Sequence, residues 1–263
     1  MFSRVWEQAG GSAVRYEIRT DDRKDFMKDE EFWSKELETP SADLYLFAIP
    51  CTNNSIAQTT PPSTRSMLKP CGDEMLPEVK ACNDMMRLMC RRILGLLAKG
   101  AHVLVENPLL SYLFLQTEMA ALIGSPEFVS ARADQCMSGT PYQKGQIWTG
   151  NVDGLTTFGE VCNHQGRHPE ELIGGATTRR SAPYPRALME KLIGCIVVNF
   201  RETGAFGLDC REWAPSALVS LDVRRRKTSK EANTSWPHGD FKEYVDEGRL
   251  RITAFRHGSP VAP

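Results

Sequence analysis

Two residues of this chain carry reactive side chains at the ends of short apolar runs. Cys51 follows Leu44-Tyr45-Leu46-Phe47-Ala48-Ile49-Pro50, and Glu106 closes His102-Val103-Leu104-Val105. Both runs have the length and composition of strands. In an open α/β sheet, ligands bind outside the carboxyl ends of the strands, so a thiol and a carboxyl at two such ends face one crevice. A nucleophile beside a proton-handling acid suggests covalent catalysis. The competing readings are a core thiol at a strand end for Cys51 and a helix-capping carboxylate in a Glu-Asn-Pro turn for Glu106.

The elements that must position this pair follow from periodicity. Residues 75–99 read as a helix, with Met85, Leu88, Met89, Ile93, Leu96 and Leu97 on one face and Lys99-Gly100 at its end. Strand, helix, strand is a crossover unit of a parallel sheet. Residues 2–9 predict a short helix closed by Gly10-Gly11, residues 13–18 a strand, residues 20–39 loop and helix, and residues 52–73 a long loop rich in Thr, Pro, Ser and Asn. Residues 110–123 predict a further helix. Glu127–Ala131 and Gln146–Thr149 predict strands that pair antiparallel at one edge. Residues 150–182 are polar and Gly-rich. Residues 185–198 predict a helix, with Leu188, Leu192, Ile193, Ile196 and Val197 inward.

The order of these motifs resembles the DNA cytosine-5 methyltransferases, whose catalytic loop reads roughly D-(apolar)-PCQ-x-F-S and is followed by a strand ending in E-N-V or E-N-P. Asp43, Cys51 and Ser55 keep the spacing, whereas Thr52 and Asn54 stand where that family has Gln and Phe. The chain is also similar to divergent methyltransferase-like modules of retroelement polyproteins. Those carry a Pro-Cys loop, then E-N-P-x-x-S, then D-Q-C, here Glu106 to Ser111 and Asp134-Gln135-Cys136. The resemblance spans roughly residues 2–200. It implies a Rossmann-like class I methyltransferase fold, α/β with a mostly parallel sheet and flanking helices, lacking part of the first strand and its Gly loop. It also implies cytosine C5 methylation of DNA, or less readily RNA, with S-adenosylmethionine as donor. Cys51 would add to C6 of a flipped base and Glu106 would hold N3, at an unstacking cost of a few kcal/mol.

By the same resemblance, Glu17, Asp25 and Pro50 belong to the donor site, Pro50 also shaping the turn that exposes the thiol. Ser55, Asn107, Pro108, Gln135 and Lys144 belong to the substrate site, with Lys144 standing in for an arginine of the family's Gln-Arg-x-Arg segment. Cys136 is not assigned a catalytic role. The donor-loop signature D-L-F-x-G-x-G does not occur in the sequence, which raises a second function: an inactive, mobile-element relic that binds nucleic acid or protein.

Cys162-x-His164-x3-His168 contains zinc-ligand residue types, but zinc takes four ligands or three and a water, and no fourth is evident nearby in the sequence. A polar loop is the favoured reading, and a zinc-stabilised binding domain is the third function considered. The 263 residues carry a net charge of −1, which gives no global pull toward nucleic acid. Arg224-Arg225-Arg226-Lys227 reads as a solvated run in a partly disordered extension over 201–263, beyond an α/β domain at 1–200. Eight cysteines without disulfide-scaffold spacing, and an N-terminus without an apolar signal segment, predict reduced thiols in the nucleus or cytoplasm and no membrane partner.

Overall fold

The computed structural model describes residues 2–8, 13, 29–49, 51, 54–55, 64–172, 181, 183–203, 255–256 and 259–260. It is an α/β structure whose main sheet has four strands in the order β1-β2-β4-β3. The strands are β1 (Leu44–Ala48), β2 (His102–Pro108), β3 (Val129–Asp134) and β4 (Gly145–Gly150). The helices are α1 (Phe2–Gln8), α2 (Glu30–Glu38), α3 (Pro77–Leu97), α4 (Thr117–Ile123), α5 (Leu155–Phe158) and α6 (Arg186–Thr203). A two-residue ladder pairs Phe255–Arg256 with Ser259–Pro260.

The expected β1-α3-β2 unit is present. Its strands run parallel, with Leu44 beside His102 and Ala48 beside Glu106. Proline in the first turn starts α3, and Gly100 at φ 77° ends it. The Gly100 amide bonds Leu97 O and the Ala101 amide bonds Leu96 O, which satisfies two carbonyls at the helix end and turns the chain into β2. The buried stripe of α3 is rotated from the expected one. Met86, Met89, Cys90, Ile93 and Leu96 are buried, while Met85 and Leu88 are half-buried.

The sheet is mixed rather than mostly parallel. β4 is antiparallel to both of its neighbours, β2 and β3. The short connection from β3 to β4 reverses the chain as a hairpin does, and only antiparallel strands accept so short a link. The strand at 146–149 is consequently interior, and β3 forms the edge.

Alternation along β2 divides the core into two layers. Val103 and Val105 pack with Trp33, Phe47, Met86, Met89 and Ile93 under α2, α3 and α4. Leu104 packs with Trp148, Leu155, Phe158, Leu188, Leu192 and Ile196 under α5 and α6. Every residue expected inward on α6 is buried. The helix expected over 110–123 is broken: a 3-10 turn at Tyr112–Leu115 and α4 are separated by Gln116 in an extended conformation. The Ser111 side chain accepts from the Leu113 amide and starts the turn. Among the described residues no helix is long and apolar enough to cross a membrane. The expected strand at 13–18 and nearly all of the expected 201–263 extension lie outside the described residues.

Candidate active site

Glu106 lies on the same face of β2 as Leu104, at the carboxyl end of the strand, and is 6% exposed. Its partners come from distant elements. Gln146 on β4 donates its amide to Oε1 at 2.7 Å, and Tyr184, just before α6, donates its hydroxyl to Oε2 at 2.5 Å. Burial pushes the Glu106 carboxyl above its ordinary pKa, against the hydrogen bonds from Tyr184 and Gln146 and the charge of Lys144, which favour the ionised form.

Cys51 sits just beyond the C-terminal end of β1 and is half-buried. The parallel register that sets Ala48 beside Glu106 carries the thiol toward the same end of the sheet. Burial pushes the Cys51 thiol up. Lys144 pulls it down, and Glu106 pushes it further up. Lys144 is held by donating from Nζ to Ser181 O at 2.8 Å, and burial depresses its pKa while Glu106 and Cys51 oppose that shift. Thiol, carboxyl and ammonium thus act on one another electrostatically in a single site.

Asn107 and Asn54 fix the loop that bears Cys51. Asn107 Nδ2 donates to Ile49 O at 2.9 Å, tying the end of β2 to the end of the β1 segment. The Asn54 amide closes a turn onto Cys51 O at 3.0 Å. Asn54 is fully buried; its side chain accepts from Gln116 Nε2 at 3.1 Å and donates to Cys82 Sγ at 3.2 Å, and its carbonyl accepts from the Tyr112 amide at 2.7 Å. Asn54, one of the two residues that depart from the cytosine-5 pattern, is thus an anchor of the loop.

The other sequence-derived candidates divide into two groups. Gln135 is buried and reaches the site through Gln146, donating from Nε2 to its Oε1 at 3.2 Å. Pro108 is beside Gln146 in register, at the rim of β2. Ser55 pairs as an isolated bridge with Ser111, on the loop side of Cys51 rather than at Glu106. Glu17, Asp25 and Pro50 lie outside the described residues. Three buried side-chain acceptors, Asn107 Oδ1, Gln116 Oε1 and Gln135 Oε1, have no hydrogen-bond partner among the described residues.

Cys162, His164 and His168 do come together. Cys162 Sγ is 3.3 Å from His164 Nδ1 and 3.4 Å from His168 Nε2. Sequence reasoning missed three participants: Tyr184 and Gln146 at Glu106, and Cys136, which joins the Cys/His group.

Compared with family models, curated proteins and solved structures, the chain matches none. The described residues form a mixed α/β structure in which Cys51 and Glu106 stand at the ends of two adjacent parallel strands.

Proposed function

We propose that this crevice binds a flipped cytosine and adds Cys51 to its C6, in a Rossmann-like domain of the cytosine-5 methyltransferase type. The observation that carries the reading is the parallel register of β1 and β2, which sets Cys51 and Glu106 at adjacent strand ends beside Lys144. β1, β2 and β3 share one direction and β4 alone is reversed, a pattern that fits one antiparallel strand set into a doubly wound sheet.

The chemistry follows from the groups present. Glu106 passes a proton to N3 of the ring as the thiolate adds, a transfer that the upward push of burial on its pKa favours. The Sγ–C6 bond forms, and the C5–C6 π electrons move toward the protonated ring so that C5 becomes nucleophilic. C5 takes a proton from solvent. Loss of the other C5 hydrogen to solvent as a proton, return of the N3 proton to Glu106 and expulsion of Sγ as thiolate then restore the base and the starting side chains. Lys144 stabilises the thiolate on each side of this cycle. Asn107 Oδ1 and Gln135 Oε1 supply acceptors for the exocyclic amine. S-adenosylmethionine would supply a methyl group to C5 in place of the proton. The residues assigned to that donor, Glu17, Asp25 and Pro50, lie outside the described residues.

The test needs no donor. Release of tritium from [5-³H]cytosine in DNA reports addition at C6 directly. The expected result is release by the wild-type chain that Cys51→Ser abolishes and Glu106→Gln lowers by about 10²-fold or more. Calorimetry with S-adenosylmethionine separately reads the donor site.

One observation favours a second reading, a non-catalytic binding module. Both carboxylate oxygens of Glu106 are already engaged within the chain by Gln146 and Tyr184. A folded chain that binds DNA or RNA but releases no tritium supports this alternative and overturns the enzymatic one.

A further inference from the structure

We propose that Cys136, Cys162, His164 and His168 form a structural zinc site that fastens the segment after α5 to the 3-10 turn following β3. The ligand atoms of all four residues lie within 4.8 Å of one another. Zinc bound tetrahedrally, with Zn–S about 2.3 Å and Zn–N about 2.0–2.1 Å, holds sulfur and nitrogen about 3.6 Å apart. The two S···N separations at Cys162, 3.3 and 3.4 Å, are already close to that value.

Each ligand is delivered by a separate local device. Cys136 is buried in the 3-10 turn Gln135–Ser138, which ends at Gly139 with φ 87°. Cys162 is brought alongside by a short parallel pairing to β3, in which the Asp134 amide bonds Glu160 O and the Glu160 amide bonds Arg132 O. Its own amide donates to Asp134 Oδ2 at 2.8 Å, and Asp134 is held in turn by two bonds from Arg132. His164 and His168 flank Gly166, whose φ of 89° permits the reversal that turns both rings toward Cys162.

The segment needs such a fastening. Between Phe158 and Ser181 no described residue is buried, so apolar packing does not hold it down. Two thiolates and two imidazoles form a closed set of four protein ligands, the type found at structural rather than catalytic zinc. Thiolate sulfur also selects against magnesium and calcium. The site lies one residue from Gln135, so the metal would also stiffen that wall of the crevice. The proposal does not depend on cytosine chemistry.

The test is metal content and cobalt spectroscopy on the full chain, purified without chelator. About one zinc per chain is expected. After removal of the metal, cobalt(II) should give tetrahedral ligand-field bands and a thiolate-to-cobalt charge-transfer band. Cys162→Ser and His168→Gln should each weaken metal binding at least about 10-fold, and Asp134→Asn, which loosens a positioning contact, should weaken it less. Should those variants fail to fold, the cobalt titration of the demetallated wild type still decides. A folded chain that takes up neither metal overturns the proposal, as does cobalt bound without a charge-transfer band.

Discussion

The Tyr184 hydroxyl donates to Glu106 Oε2 at 2.5 Å, joining the start of α6 to the end of β2 across 78 residues of chain. The ring of Tyr184 also packs 5.5 Å from Trp148, which is beside Glu106 in the β2–β4 register. One aromatic residue therefore both seals the apolar layer and supplies a donor to its buried carboxyl. Burial and the neighbouring carboxylate raise the Tyr184 phenol well above its ordinary value, so it remains a donor at any pH where the protein is studied.

Tyr184→Phe removes that donor and keeps the ring. Loss of a hydrogen bond to a buried carboxyl should destabilise the fold by about 1–3 kcal/mol. The cost should depend on pH. Glu106 has a raised pKa in the folded state, so its contribution to stability is full below the unfolded carboxyl range and is lost as pH rises through the folded value. The Tyr184 bond favours the ionised form, so deleting it raises the folded pKa further and extends that loss. Urea melts from about pH 4 to about pH 8 should show a wild-type-to-variant gap that widens with pH; a constant gap would refute this account of Glu106.

The thiol of Cys51 should respond in opposite directions to its two charged neighbours. Lys144 favours the thiolate and Glu106 disfavours it. Iodoacetamide alkylation of Cys51, read by peptide mass spectrometry at mildly alkaline pH, should be several-fold slower in Lys144→Met and faster in Glu106→Gln. Equal rates in wild type and both variants would mean that the three side chains do not share a site.

The elements that carry the site were legible because each is coded locally. The runs 44–49 and 103–105 are continuously apolar, α3 has a helical repeat and a Gly at its end, and the two strand ends bear the reactive residues. The partners were not legible because they are coded by topology. Gln146 is 40 residues from Glu106 and Tyr184 is 78, and only the placement of β4 beside β2 unites them. Cys136 joins Cys162 through pairing of Glu160 with the edge of β3, which no spacing rule announces. The break at Gln116 is another tertiary effect: its buried side chain serves Asn54, and an extended backbone there interrupts an otherwise helical pattern. The short helix α5 lies in a stretch that reads as polar because its apolar residues, the fully buried Leu155 and Phe158 among them, are scattered among Gly and polar residues.

A close backbone approach at Gly150 offers a stability test remote from the reactive side chains. Gly150 ends β4 beside Leu104 of β2, and a Cβ there would lie 2.0 Å from the carbonyl oxygen of Val103 and 3.0 Å from its carbonyl carbon. Both are backbone atoms of the central strand, so no side-chain rotation relieves the clash. Gly150→Ala must push β4 off β2 or tilt the Val103 peptide, and Val103 belongs to one core layer while its neighbour Leu104 belongs to the other. The expected cost is about 3 kcal/mol, the upper end for overpacking because the obstacle is backbone. By comparison, Gly139→Ala, where nothing lies within 4 Å of the new Cβ but φ is 87°, should cost only about 1 kcal/mol through left-handed strain. Thermal melts of the two variants rank these effects, and a Gly150→Ala chain as stable as Gly139→Ala would show that β2 and β4 are not paired in this register.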